Sequence, residues 1–445
     1  MIIRKRSRNL RHLRSLPEYH NNNQEREYWR EHVSAATTEP TPLSEKTPPP
    51  PVEGRLNRRI YGIRAKWLLL GLGVLILLII VLGAGLGAGL HSKHSQKASQ
   101  GSQSGALNGT SISVVTQTFS TDEKESLVMY FQHWTGQIRY MQLGDDGVWK
   151  GGDSSSIVAS DAKNNTPIAA VSYVWDGVSF WRVFYIDNTN LIKEIWAGNN
   201  TQGWALGPLS DMSISAMDDD HVGMVACWEG PTSPKEYAEG YATTTDSSLL
   251  AIRLVYAQDA TTFQQLRYTG DTQDWVPEQT LPNLNGHASP ACYNRDEGTV
   301  DYMMVVNLQN EINVYWRDTN TSLTNTTSHP INRWTNTSIS IPNVEDNATL
   351  GYTKYLYAQE KNDQLIRAYS FSFAAENTTL DTGAGFVVQG NPGLPSTGLG
   401  ITARPNPAGG DDVMALYQTD GSHIGYYERD ADGVSWNSAN ILIPI

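Results

Sequence analysis

Residues 168–207 read IAAVSYVWDGVSFWRVFYIDNTNLIKEIWAGNNTQGWALG. Three runs rich in β-branched and aromatic residues, IAAVSYVW, SFWRVFYI and LIKEIWA, alternate with the turn signals DG, DNTN and GNNTQ before the stretch ends on GWALG. Val, Ile, Tyr, Phe and Trp suit a pleated, half-buried surface, whereas Gly, Asn and Asp tolerate the backbone angles of tight turns. The spacing predicts four consecutive strands in one antiparallel sheet.

The unit recurs. A strand ending in an aromatic or Gln, a polar turn and a second strand appear in LVMYFQHWTGQIRYMQ (127–142), WRVFYIDNTNLIKEIW (181–196) and IRLVYAQDATTFQQLRY (252–268). Looser copies follow in MMVVNLQNEINVYW (303–316), KYLYAQEKNDQLIRAY (354–369) and VMALYQTDGSHIGYY (413–427). Aligning Ile138, Ile192, Phe263, Ile312, Ile366 and Ile424 gives near-regular steps, the longest from Ile192 to Phe263, of the length a four-stranded propeller blade needs. Radial closure also protects sheet edges that would otherwise pair between molecules. The expectation is all-β, a six-bladed β-propeller over residues 111–445.

The chain ahead of Ser111 differs in kind. WLLLGLGVLILLIIVLGAGLGAGL, Trp67 to Leu90, carries no charge from end to end and is long enough to cross a membrane as a helix. Arg55, Arg58, Arg59, Arg64 and Lys66 precede it, against Lys93 and Lys97 after it, which places the N-terminus in the cytosol. Residues 1–66 hold 14 Lys/Arg and 7 Asp/Glu, so the rest of the chain carries about −20 of the net −13. This basic, Pro- and Thr-rich tail is expected to be disordered, and 91–110 to be a flexible stalk. An acidic ectodomain has no electrostatic footprint for nucleic acid.

Asn-X-Ser/Thr acceptors begin at Asn108, Asn164, Asn199, Asn320, Asn325, Asn336, Asn347 and Asn377, all after the apolar span. With the charge rule they predict a type II single-pass protein whose C-terminal domain is a glycoprotein facing the lumen or cell exterior. In such a compartment Cys227 and Cys292 either pair or stay buried. Two Cys without a His cluster at ligand spacing make no metal site.

No phosphate loop, nucleophile elbow or HExxH is present, and Asp218, Asp219 and Asp220 read as a solvated turn. The expected function is therefore non-catalytic and without cofactor. Arg182 and Glu194 are twelve residues apart about Asn188, which puts them on one sheet face and directly opposite each other. Arg253 and Gln265 repeat the separation about Asp259. A guanidinium fork beside an acceptor grips adjacent sugar hydroxyls, although the same pair also serves as an ordinary cross-strand contact.

WRVFYIDNTNLIKEIW followed by Gly203, Trp204 and Gly207 resembles the fungal fucose-binding propeller lectins of the Aleuria lectin type. The resemblance implies a six-bladed propeller with L-fucose sites between blades, each taking an Arg and a Glu from one blade and aromatics from the next. On that basis Arg182 and Glu194 with Tyr268 and Trp275 form one site, and Arg253 and Gln265 with Tyr315 or Trp316 form a second. The Glu-equivalent positions in the other copies are Tyr140, Val314, Ala368 and Tyr426, which departs from the pattern. Trp149, Trp204, Trp275 and Trp436 share an end-of-copy position that suggests blade packing. Arg182→Ala is expected to remove glycan binding and leave the fold intact. The competing expectation is a propeller that binds no sugar and serves as a protein-interaction scaffold.

Overall fold

The computed structural model describes residues 59–60, 63–64 and 104–445, apart from 117–125, 145, 230–242, 295–298, 321, 327–328 and 407–408. The apolar segment 67–90 and the Pro-rich tail lie outside the described residues; among those described, no helix is long and apolar enough to cross a membrane. In the N-terminal unit Arg59–Ile60 pairs antiparallel with Ile63–Arg64, a short strand pairing in a stretch expected to have none.

Residues 104–445 fold into six blades, each with four antiparallel strands drawn in sequence order from the chain. Blade I comprises Ile112–Thr116, Leu127–Gln132, Ile138–Leu143 and Trp149–Gly151. Blade II comprises Ala169–Trp175, Val178–Ile186, Ile192–Gly198 and Ala205–Leu206, and blade III Met224–Trp228, Ala251–Asp259, Thr262–Thr269 and Asp274–Pro282. Blade IV comprises Ala291–Asn294, Val300–Val306, Ile312–Asp318 and Thr335–Ile341. Blade V comprises Gly351–Tyr352, Leu356–Gln359, Ile366–Ser372 and Thr379–Val387, and blade VI Leu399–Pro405, Asp411–Tyr417, Ile424–Arg429 and Trp436–Ile441.

The innermost strands touch in sequence, and Leu399–Pro405 of blade VI meets Ile112–Thr116 of blade I, so the ring closes. They surround an axial channel of about 190 Å³ lined by residues such as Ser113, Ala170, Ala226, Cys292 and Gly400. The cores are the seams: Met129 and Phe131 pack with Met414 and Leu416 between blades I and VI, and Ile252 and Leu254 with Phe184 and Ile192 between III and II.

The turn chemistry explains the sharp strand boundaries. In DNTN, Asp187 Oδ1 accepts from the amides of Thr189 (2.8 Å) and Leu191 (2.9 Å), and Asn190 takes φ +64°, which asparagine tolerates. The Gln at the end of the second strand in blades I and V, and directly after it in blade VI, is a latch. Gln132 Oε1 accepts from Asn165 N (2.8 Å), Gln359 Oε1 from Thr397 N (3.3 Å), and Gln418 Oε1 from Gly109 N (2.8 Å) and Thr110 N (3.1 Å). Each thus holds the linker into the next blade. The last of these joins blade VI to the chain ahead of blade I, and Ala106 N bonds Ser422 O (2.9 Å) beside it. Ordered structure therefore begins before Ser111, inside the expected stalk.

The long step from Ile192 to Phe263 has a physical cause. Blade III carries an extended connection between Met224–Trp228 and Ala251–Asp259, and within it Thr243–Thr244 pairs parallel to Val174–Trp175 of blade II. Cys227 and Cys292 are bonded, with Cα atoms 6.3 Å apart, and join the innermost strands of blades III and IV.

Candidate functional site

The seam between blades II and III gathers Arg182, Glu194, Tyr268 and Trp275. Ile186 faces Ile192 across the DNTN turn, which centres the hairpin on Thr189 instead of Asn188. That one-residue shift pairs Arg182 with Trp196 and Glu194 with Phe184, so Arg182 and Glu194 share a face but stand diagonally, correcting the directly opposed pair read from spacing. Arg253 and Gln265 are diagonal for the same reason: they pair with Arg267 and Val255.

Glu194 is wholly buried (0 % exposed). One carboxylate oxygen takes a bond from Arg182 Nη1; the other accepts from Trp275 Nε1 (2.9 Å) and the Leu209 amide (3.0 Å). Gly207 lies so close that a Cβ there would fall 2.2 Å from Glu194 Cδ, which is why the GW-x-x-G run ends on glycine. Arg182 (7 % exposed) also donates Nε to Tyr173 Oη (2.9 Å), and its Cζ lies 4.0 Å from the Tyr268 ring centroid. Nη2 has no partner among the described residues and is the donor this guanidinium can still offer. Burial pulls the Arg182 pKa down, but the Tyr173 oxygen and Glu194 carboxylate outweigh it and the net shift is upward. Burial pushes Tyr173 up to about 12, keeping its hydroxyl neutral. Sequence reading missed Tyr173, because nothing in a strand marks which residue of the neighbouring strand will cap an arginine.

Blades III and IV repeat this geometry and then fill it. Trp334 Nε1 bonds Gln265 Oε1 (2.7 Å), as Trp275 bonds Glu194. Arg253 is fully buried (0 %) with its Cζ 4.8 Å from the Trp334 ring. At the place corresponding to Tyr173 stands Glu229, whose carboxylate pairs with Arg253, Arg317 and Arg267 (2.9 Å for the last). Asp301 bridges Arg253 (2.8 Å) and Arg317 (3.0 Å), and Glu278 lies 3.5 Å from Arg317. Three arginines thus meet three carboxylates, with burial holding Arg317 at about 10 and pushing Asp301 up to about 7. The second expected site is corrected in its aromatic side. Trp316 faces the opposite seam, in the core shared with blade V, and Trp334 holds the position assigned to it or to Tyr315. Tyr315 borders the III–IV core without a bond to Arg253.

One tryptophan rule holds at five of the six seams; blade V has no tryptophan, and Val314 at the IV–V seam packs with Phe371, Phe373 and Leu380 instead. Trp204 packs against Tyr140 (6.3 Å), Trp149 against Tyr426 (6.5 Å), and Trp436 joins Ala368 and Phe386 in the V–VI core. In each case the end-of-copy indole of one blade addresses the Glu-equivalent position of the previous blade. Where that position is polar, as at Glu194 and Gln265, the indole N–H donates to it; elsewhere the ring packs.

The Asp218 turn is exposed and pairs with Lys163 (2.7 Å), and no group of metal-ligating side chains forms among the described residues.

The sequence model described as fungal fucose-specific lectin matches residues 106–384, from the start of blade I to the outer strand of blade V. The chain belongs to the fungal fucose-specific lectin family. A curated family member, the fucose-specific lectin of Aleuria aurantia, is 29 % identical over 107 residues; that alignment spans 24 % of this chain and 32 %, about a third, of the relative. A crystal structure of the Aleuria aurantia lectin, described as a six-bladed β-propeller, covers 76 % of this chain and 97 % of its own at a TM-score of 0.58 and 16 % identity. AofleA of Arthrobotrys oligospora covers 76 % and 88 % at a TM-score of 0.55 and 14 % identity. These likenesses establish the fold; one Aleuria lectin structure was solved with alpha-methyl-L-fucoside.

Proposed function

We propose that this lectin-family chain binds fucose-containing glycans through the seam between blades II and III. The observation that carries the reading is the Arg182 fork: it is held by Glu194 and Tyr173, flanked by Tyr268, and left with Nη2 free. Exposure rises along one sheet face from Glu194 (0 %) through Arg182 (7 %) to half-buried Trp196 and Phe180, so a sugar enters from the end that carries the Gly198–Gly203 turn. Trp196, the cross-strand partner of Arg182, offers its ring at that entrance. The reading extends to the topology of the chain: a type II membrane anchor at 67–90, a cytosolic tail 1–66 and a lumenal or extracellular, N-glycosylated propeller. Display on a membrane gives one weak site per chain the avidity of many.

Arg182→Ala is not the clean test that the sequence suggested. It leaves the buried Glu194 carboxylate unpaired and is expected to cost about 3–5 kcal/mol of stability, read by urea unfolding. Arg182→Lys keeps the charge and removes the fork. The full-length protein in detergent is expected to bind fucosylated glycans on an array in competition with free L-fucose, and Arg182→Lys to weaken that binding at least about tenfold, one charge-assisted hydrogen bond or more. A scaffold reading is favoured by the ion-filled III–IV seam, and absence of binding at high protein density, in the deglycosylated protein as well, would support it over the lectin reading.

A further inference from the structure

We infer that Asn199 carries an N-linked glycan that caps the II–III sugar site of its own chain. The inference rests on the reading of that seam as the sugar site. Asn199 begins the acceptor Asn199-Asn200-Thr201 and sits directly after strand Ile192–Gly198, whose residues Glu194 and Trp196 line the seam. It is exposed, its amide side chain has no partner among the described residues, and its backbone N–H is fixed to Ser179 O (3.0 Å). The turn is held further by Thr201, whose amide bonds Gly198 O (3.0 Å) and whose hydroxyl accepts from Gly198 N (2.9 Å). The attachment point is therefore anchored at the open end of the site. Asn199 lies three residues beyond the partner of Arg182, roughly 10 Å along an extended strand, a gap that a few sugar units cover.

The other exposed acceptors lack this placement. Asn164 is in the linker that enters blade II at the opposite end of the sheet, Asn325 and Asn336 belong to blade IV, and Asn377 to blade V. The modification forms a bond between Asn199 Nδ2 and the anomeric carbon of an oligosaccharide. It breaks that carbon's bond to the diphosphate of a lipid-linked donor; the lipid diphosphate departs and the amide proton passes to a base. Once attached, the glycan stays near the site at an effective concentration in the millimolar range, which excludes weakly held outside glycans.

The test compares full-length protein from an N-glycosylating host with its enzymatically deglycosylated form, with Asn199→Gln and with Asn164→Gln, on the same fucosylated array. Peptide mass spectrometry reads occupancy. Occupied Asn199, with about tenfold tighter apparent binding in Asn199→Gln and in the deglycosylated form but not in Asn164→Gln, supports the cap. An unoccupied Asn199, or equal binding with and without its glycan, overturns the cap alone. Absence of binding in every form, deglycosylated included, overturns the lectin reading and the cap with it.

Discussion

Glu229→Ala is expected to lower the free energy of unfolding by about 3–5 kcal/mol, a large share of what holds a domain together. The carboxylate is 5 % exposed and pairs with Arg253, Arg267 and Arg317, two of which are as buried as it is. Removing it leaves three guanidinium groups against Asp301 and Glu278, in a seam too buried to solvate the excess. Glu229→Gln should fall between wild type and alanine, because an amide oxygen still accepts one bond while the charge is lost. Urea unfolding of the three proteins decides the matter: a loss within about 1 kcal/mol for alanine would mean that the arginines find other partners at little cost.

Opening the Cys227–Cys292 bridge is expected to cost about 4 kcal/mol, since the bond closes a loop over a sequence separation of 65 residues and restrains the unfolded chain accordingly. The bridge lies in the same seam as the ion network, and Cys227 is the cross-strand partner of Arg253. The double variant Cys227→Ala/Cys292→Ala, unfolded in urea beside Glu229→Ala and the triple variant, should therefore show a non-additive pair. A change below about 1 kcal/mol in the double variant would show that packing around the channel holds the inner ring by itself.

Much of the fold was legible because a strand carries its own signature. Alternation in SFWRVFYI and the asparagine and aspartate turns mark the blades locally, and six copies at similar spacing leave few architectures open. The site was legible to the extent that it lies within one hairpin. Arg182 and Glu194 do, and the parity of their separation was enough to place them on one face. Their exact pairing was not legible, because Thr189 as hairpin centre depends on the three bonds accepted by Asp187 Oδ1. What came from outside the hairpin escaped. Glu229 reaches Arg253 from the end of the innermost strand and Asp301 from the next blade, and no local pattern records that meeting. Trp334 escaped because the long connection after Asp318 displaces it from the repeat spacing that marks Trp275.

The end-of-copy tryptophan has a consequence for valency. At the seam of blades I and II, Val128 and Tyr140 occupy the places that Arg182 and Glu194 hold one blade later, and Trp204 already stands against Tyr140. The socket is intact and only its contents differ. Valency in such a ring can then change seam by seam, by exchange of two residues as at I–II or by neighbours that fill a kept arginine's place as Glu229, Asp301 and Arg317 do at III–IV, while the ring itself stays as it is.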